Sequence, residues 1–219
     1  MIFVGLLRHG EVEGGNLYRG RTDDPLSPVG WEQMRAATVE FCQWDRIVSS
    51  PLQRCAAFAR EFAHIRDIPV FLEERLAEVD FGEWERCSAA QLMAHSPTAL
   101  ADFWRDPLNH PPPGGESLSR FRERVVAAWE ALCRNHAGER LLLVTHGGVM
   151  RMLLSHLQGW PIERFLEIEV KHAALFGLLT ARGVLKTLFT SPSEMRAWLE
   201  ENPGDTWRSA GCGASRAVP

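Results

Sequence analysis

The sequence predicts an α/β fold, a three-layer sandwich in which a mostly parallel sheet carries helices on both faces. Two apolar runs, residues 2–7 and 141–145, have the unbroken apolar character of strands buried on both faces of such a sheet. These runs, and a third predicted strand at 46–49, are each followed by a turn or loop and then by helix signals. The 219 residues are 45% apolar and 24% charged, an ordinary composition for a globular domain with one core.

Cap and turn residues mark the elements of the first half of the chain. Ser27 is a predicted N-cap followed by Pro28 in the first helical turn, and residues 50–53 read as a capping box. The predicted elements are, in order, a strand at 2–7, a loop at 11–26, a helix from Ser27 to about Phe41, a strand at 46–49, a helix from the capping box to about residue 63 and a strand at 69–72.

The second half alternates in the same way. Apolar residues at three- and four-residue steps after Ser117 predict an amphipathic helix, and Pro97 interrupts the helical pattern before it. The predicted elements are short helices within 89–105, a loop at 111–115, a helix from Ser117 to about His136, a strand at 141–145, a helix to about residue 158 and short strands within 167–190. We expect a single domain over residues 1–201 and a flexible tail at 202–219, which is rich in small residues.

Charge and cysteine content exclude several classes of protein. The chain has 24 basic and 28 acidic residues, so it lacks the basic excess of a nucleic-acid-binding protein. Its five cysteines form no zinc-binding spacing, which favours a reducing compartment. The N-terminal apolar run is too short for a signal sequence or a membrane span. We therefore expect a cytoplasmic protein that binds neither nucleic acid nor membrane.

Polar residues at the ends of the predicted strands point to a binding site. Arg8 and His9 follow the first strand, Arg54 lies in the first turn of the helix after the second, and His146 follows the strand at 141–145. Ligands of parallel sheets bind at the carboxyl ends of the strands. A site with two guanidinium groups, two imidazoles and helix N-termini at one point can bind a compact polyanion such as phosphate.

A neutral imidazole beside bound phosphate can act as a nucleophile, and we predict this role for His9 because it lies between Arg8 and Gly10. The leaving oxygen then needs a proton from a carboxylic acid in a nearby loop. Spacing alone leaves several glutamates open as that acid: Glu73, Glu74, Glu78, Glu83 and Glu85.

Five motifs occur in an order that resembles the histidine phosphatase (phosphoglycerate mutase-like) superfamily. They are Arg8-His9-Gly10-Glu11, residues 49–54, the Glu78-x-x-Phe81-Gly82-x-Trp84-Glu85 segment, residues 114–117 and Thr145-His146-Gly147-Gly148. The resemblance implies a phosphoglycerate mutase-like fold and a phosphorylated His9. It also implies that Arg8, Arg54 and His146 hold the phosphoryl group and that Glu78 donates the proton.

Within this superfamily the segment 10–26 is most similar to the α-ribazole phosphatase family of cobalamin lower-ligand assembly. The mutase branch usually has a Trp-Asn pair where this chain has Gly15-Asn16, and a longer insertion before Gly114. Both departures favour a phosphatase over a mutase, and the resemblance implies α-ribazole 5′-phosphate as its substrate. A phosphatase of another small ester, such as a sugar phosphate or phosphoglycerate, a mutase-type phosphotransferase and a phosphate-ligand sensor stay open as alternatives.

The substrate-binding residues predicted here are Asn16, Arg19, Arg21 and Gly147. Asp23-Asp24 before Pro25 indicates a turn rather than a metal site, so we predict neither a metal nor a cofactor. Trp84 is expected to help position Glu78, and His172 could approach the cleft from the final strands. The expected partner is a small-molecule phosphate ester, and a homodimer is left open.

Overall fold

A six-stranded sheet runs through the middle of the molecule, whose computed structural model describes residues 1–41 and 43–201. In spatial order its strands are β3 (Val70–Leu72), β2 (Arg46–Ser49), β4 (Arg140–Thr145), β1 (Ile2–Arg8), β5 (Leu175–Ala181) and β6 (Val184–Phe189). The first four strands are mutually parallel, whereas β5 pairs antiparallel with β1 and β6 antiparallel with β5. The mostly parallel sheet is therefore confirmed, with an antiparallel pair at one edge.

Helices cover both faces of this sheet. They are α1 (Pro28–Val39), α2 (Gln53–Arg66), α3 (Ala89–His95), α4 (Pro97–Arg105), α5 (Leu118–Asn135), α6 (Gly147–Gln158) and α7 (Pro192–Glu201). Short 3₁₀ helices lie at Glu74–Leu76, Gly82–Trp84 and Ile162–Glu167. As predicted, Ser27 caps α1, where its hydroxyl accepts a hydrogen bond from the amide of Gly30 at 3.0 Å.

The central strand β1 contributes to both cores because its successive side chains point to opposite faces of the sheet. Val4 and Leu6 pack in one apolar cluster with residues of α5 and α6 such as Trp129. Phe3 and Leu7 pack in the other with residues of α1 and α2. This burial on both faces explains why β1 is apolar from Ile2 to Leu7.

The start of α2 differs from the predicted capping box. The N-cap is Leu52, which provides no side-chain hydrogen bond, and the Ser50 hydroxyl instead lies 2.7 Å from a ring nitrogen of His146. The free amide of Gln53 is satisfied by the carboxylate of Asp23 at 2.6 Å. A residue of the long 11–26 loop thus caps this helix, which local sequence cannot reveal.

The C-terminal part of the chain holds a further difference. Helix α7 was not among the predicted elements; it packs Met195 into the apolar cluster that also contains Phe3. The predicted flexible tail at 202–219 lies outside the described residues. Within residues 1–41 and 43–201, no helix combines the length and apolar character needed to cross a membrane. Cys55, Cys87 and Cys133 are free thiols.

Gly5 sits in the middle of β1 at a point where the sheet meets an aromatic side chain. A Cβ atom placed on Gly5 would lie 2.3 Å from a ring carbon of Trp44, which is buried in the core. The strand can pass this indole only because residue 5 has no side chain.

We expect Gly5→Ala to lower the free energy of unfolding by about 1–3 kcal/mol, the usual cost of overpacking a dense core. Urea denaturation of the two proteins measures the difference. In a Trp44→Phe background the smaller ring leaves room for the methyl group, so the same substitution should cost less. Equal costs in the two backgrounds would contradict this account.

Candidate active site

A cleft of about 450 Å³ opens at the carboxyl end of β1 and the N-terminus of α6. Most of the predicted site residues line it: Arg8, His9, Asn16, Arg19, Glu78 and Gly147. Arg151 and His172 also line the cleft. The carboxyl-end placement agrees with the position of ligand sites in parallel sheets.

His9 is held by hydrogen bonds on both sides of its backbone and on its ring. Its amide donates to Thr145 at 2.9 Å, and its carbonyl accepts from Ala173 at 3.2 Å. Ring atom Nδ1 lies 2.7 Å from the carbonyl of Gly10. Because a carbonyl only accepts, Nδ1 carries the proton, and the lone pair of the neutral ring resides on Nε2. This tautomer is the one that a nucleophilic imidazole requires.

The surroundings of His9 keep its ring uncharged. Burial lowers the pKa of His9 well below its usual value, and the positive charges of Arg54 and Arg8 lower it further. The rings of His146 and His172 lie close by, with centroids 5.2 Å and 5.8 Å from that of His9. His9 therefore keeps its lone pair at neutral pH.

Arg8 and Arg151 bring two guanidinium groups to the same edge of the cleft. Arg8 donates from Nη1 to the carbonyl of Val170 at 2.6 Å, while its buried Nε has no hydrogen-bond partner among the described residues. Burial lowers the pKa of Arg8 to about 10, against the opposing effect of the Glu78 charge. A Cβ atom on Gly147 would lie 3.3 Å from both Arg8 Nε and Arg151 Nη1. An anion bound here would satisfy the buried donor.

Arg54 and His146 lie one layer beneath the cleft, and neither has any exposed surface. Arg54 Nε donates to Nδ1 of His146 at 3.2 Å, and the other ring nitrogen of His146 lies 2.7 Å from the Ser50 hydroxyl. Arg54 also donates to the carbonyls of Thr22 and Gly20 at 2.6 Å and 2.8 Å. The structure brings both residues next to His9, but their hydrogen bonds go to the protein.

Of the five glutamates considered as the acid, Glu78 is the one that lines the cleft. Its side chain is buried, and Oε2 accepts a hydrogen bond from the amide of Gly148, in the first turn of α6, at 2.9 Å. A Cβ atom on Gly148 would lie 2.3 Å from Glu78 Oε1, so the second glycine of the His-Gly-Gly sequence is what lets the carboxylate approach this helix.

The competing glutamates have other roles. Glu74 and Glu83 are exposed, and Glu73 forms an ion pair with Arg75 at 2.6 Å. Glu85 accepts hydrogen bonds from the backbone amides of residues 20, 21, 22 and 81. Burial raises its pKa, but the hydrogen bonds from Thr22 and these amides outweigh burial, so the pKa of Glu85 is lowered overall. Glu85 is a structural anion that fixes the loop after His9.

Two arginines predicted to bind substrate differ in placement. The buried side chain of Arg19 lines the cleft, but its guanidinium donates to Asp24 and to the carbonyls of Gly15 and Glu13, each at 2.6 Å. Arg21 is exposed and does not line the cleft. Arg19 thus shapes the loop itself, and Asn16 stands exposed at the rim.

A second, mostly apolar pocket of about 160 Å³ adjoins the cleft. The two share Tyr18, Glu78, Phe81 and Arg151. The rest of its wall is Glu116, Gly148 and apolar side chains from α4, α5, the 3₁₀ helix at Ile162–Glu167 and intervening segments: Val79, Phe103, Trp104, Pro107, Pro112, Leu118, Phe165 and Leu166. Trp84 packs against Tyr18 and Phe103, so it supports this wall rather than Glu78.

Sequence reasoning missed Arg151 and this apolar pocket. Arg151 lies four residues after Gly147 in α6 and thus on the same helical face, a spacing that could have indicated it. The pocket walls come from distant segments and give no local signal. Within the described part of the chain, no group of three or more His, Cys, Asp and Glu side chains could hold a metal ion.

Comparisons with known proteins agree with this arrangement. A family model described as histidine phosphatase superfamily (branch 1) matches residues 4–188. The chain is 31% identical over 160 residues to the adenosylcobalamin/alpha-ribazole phosphatase of Salmonella typhimurium, covering 71% of this chain and 79% of that protein. It is 30% identical over 169 residues to phosphoserine phosphatase 1 of Hydrogenobacter thermophilus, covering 75% and 80%.

The solved structure of the alpha-ribazole phosphatase from Shigella flexneri superposes with a TM-score of 0.76 at 26% identity, covering 87% of this chain and 96% of that one. The resemblance carried by the five sequence motifs is therefore confirmed over most of the chain. The protein belongs to the histidine phosphatase superfamily and is a phosphatase.

Proposed function

We propose that this phosphatase hydrolyses its ester through a phosphohistidine at His9, and that its substrate is α-ribazole 5′-phosphate. The protonated Nδ1 of His9 and its lowered pKa support the first part. The apolar pocket beside the cleft is the single observation that carries the second.

In the first step, Nε2 of His9 attacks phosphorus, and the bond from phosphorus to the ester oxygen breaks. Glu78, which lines the same cleft, gives its proton to the departing oxygen, so the alcohol leaves neutral. Water then attacks the phosphorus of the phosphohistidine and gives a proton to Glu78. The bond from phosphorus to Nε2 breaks, its electron pair returns to the His9 ring, and inorganic phosphate leaves.

Donors for the phosphoryl oxygens surround this point. We assign the unpartnered Nε of Arg8, the guanidinium of Arg151 and the amide of Gly147 at the helix N-terminus to direct contacts. Arg54 and His146 supply positive charge and hydrogen bonds beneath the phosphate. Their burial makes the charge of Arg54 effective because little solvent screens it.

The leaving group decides between substrates. α-Ribazole carries a dimethylbenzimidazole base, a flat apolar bicycle, at the far end of its ribose. The adjoining pocket offers Phe103, Trp104 and Leu166 to such a base. Phosphoserine and phosphoglycerate instead present charged groups, and the apolar side chains of Phe103 and Leu166 offer those groups no hydrogen bonds.

Replacing the nucleophile tests the covalent mechanism. We expect His9→Ala to lower phosphatase activity by about three orders of magnitude or more, since no other group can form the intermediate. Phosphate release measures the loss, and circular dichroism checks that the fold persists. Quenching of the unsubstituted protein with alkali during turnover should trap a base-stable, acid-labile phosphate on His9. Labelling at another residue would contradict the proposal.

Two aromatic esters of similar size test Glu78 as the acid. Benzyl phosphate has a poor leaving group that needs a proton, whereas p-nitrophenyl phosphate does not. We expect Glu78→Gln to lower kcat for benzyl phosphate by about 100-fold or more and to affect p-nitrophenyl phosphate far less. Glu83→Gln, an exposed neighbour in the same segment, is the control and should leave both rates unchanged. Equal losses on the two esters in Glu78→Gln would exclude the proton-donor role.

A panel of phosphate esters tests the proposed substrate. Their kcat/KM values are compared for α-ribazole 5′-phosphate, phosphoserine, 3-phosphoglycerate and p-nitrophenyl phosphate. We expect the first to be hydrolysed best and Trp104→Ala to lower its kcat/KM by about tenfold, from the lost aromatic contact. Trp160→Ala, at an exposed tryptophan outside the pocket, is the matched control. If kcat/KM for α-ribazole 5′-phosphate is no higher than that for p-nitrophenyl phosphate, the substrate assignment is wrong. Phosphoryl transfer without phosphate release would indicate a mutase.

A further inference from the structure

The Gly114-Gly115-Glu116-Ser117 motif contributes no reacting group to the proposed ester hydrolysis. Its glutamate forms a bidentate ion pair with Arg124 of α5, with both oxygens 2.8 Å from guanidinium nitrogens. The side chains of Glu116 and Arg124 are only 14% and 16% exposed, so solvent screens the pair weakly. This ion pair lies at the apolar pocket beside the cleft, where Glu116 forms part of the wall.

The remaining hydrogen bonds of Arg124 go to the segment that carries Glu78. Nη1 donates to the carbonyls of Arg75 and Ala77 at 2.8 Å and 2.6 Å, and Nη2 donates to the carbonyl of Glu78 at 2.9 Å. Together with the two bonds to Glu116, all five N–H groups of the guanidinium have acceptors. The arginine therefore holds the backbone of the segment that leads up to and includes Glu78.

Glu116 holds the other side of the same segment. Its backbone amide donates to the carbonyl of Asp80 at 2.9 Å, so the motif touches the chain two residues after Glu78. The Glu78 carboxylate, which accepts the Gly148 amide, therefore projects from a backbone that is fixed before and after it. A proton donor placed in this way needs no rearrangement to reach the leaving oxygen.

We propose that Arg124 and Glu116 are positioning residues for the proton donor Glu78. This inference rests on the proposed function, in which Glu78 protonates the leaving group. Lysine cannot replace Arg124, because an ammonium group has three donors at one point and cannot span a carboxylate and three carbonyls.

The test measures kcat and KM for benzyl phosphate and p-nitrophenyl phosphate in Arg124→Gln, Arg124→Lys and Glu116→Gln. We expect Arg124→Gln to lower kcat for benzyl phosphate by about 10- to 100-fold, the effect of a misplaced catalytic group, with little change in KM. The rate for p-nitrophenyl phosphate should fall much less. Arg124→Lys and Glu116→Gln should also lower the rate for benzyl phosphate more than that for p-nitrophenyl phosphate, but by smaller factors. Arg120→Gln, at an exposed arginine one turn earlier in α5, is the matched control.

A purely structural role gives a different result. Loss of folded protein lowers both rates by the same factor, and thermal melting of each variant measures that loss. Equal losses on the two esters in both Arg124 variants, or no loss, would overturn the inference. Arg124→Lys, which keeps the charge, carries the test if Arg124→Gln does not fold.

A double variant separates this inference from the proposed function. In a Glu78→Gln background the acid is already absent, so adding Arg124→Gln should cause no further change in the ratio of the two rates. An additional change in that ratio would refute positioning through Glu78. If Glu78→Gln alone affects both esters equally, the proton-donor role fails, and the positioning role fails with it. If Glu78→Gln lowers the rate for benzyl phosphate more than that for p-nitrophenyl phosphate, but Arg124→Gln lowers both rates equally, the proposed function stands and this inference fails.

Discussion

Burial of the Arg54 guanidinium is the constraint on which the site depends. A buried cation needs acceptors for its donors, and Arg54 finds them in His146 and in the carbonyls of residues 20 and 22. The amides of the same loop, residues 20–22, turn the other way and donate to the Glu85 carboxylate. The loop after the nucleophile thus lies between a cation that binds its carbonyls and an anion that binds its amides. This pairing gives a loop without regular secondary structure one defined path beside His9.

The same cation sets the electrostatics of the imidazoles. Burial and the charge of Arg54 both lower the pKa of His9 and of His146. The rings stay neutral, while Arg8, Arg54 and Arg151 keep the region positive. A dianionic phosphate is the ligand that such a region attracts, and a neutral imidazole is the nucleophile that the proposed mechanism uses. Substrate binding and nucleophile activation therefore have one electrostatic origin.

The sequence predicted the polar residues at the strand ends because parallel strands deliver their carboxyl ends to one edge, whatever the loops between them do. Arg8 and His9 were found in this way, and His146 with them. Glu78 could not be chosen by spacing, since Glu83 and Glu85 carry the same carboxyl group only a few residues further along the chain. What distinguishes Glu78 is contact with Gly148 of α6, which belongs to a distant part of the chain. Arg19 shows the opposite case. Its position in the loop is equally compatible with substrate binding, but its guanidinium donates hydrogen bonds to carbonyls of its own loop.

The cleft and the apolar pocket meet at Tyr18, Glu78, Phe81 and Arg151, and otherwise draw on separate parts of the chain. The polar half comes from strand ends whose register the whole sheet enforces. Much of the other half comes from α4 and the turns around it, which carry a small core of their own built on Leu100 and Phe103. Under the proposed function, amino-acid replacements in that peripheral unit change which leaving group binds and leave the residues that break the ester in place. Relatives with one reaction and many different substrates are the evolutionary outcome that such a division of labour favours.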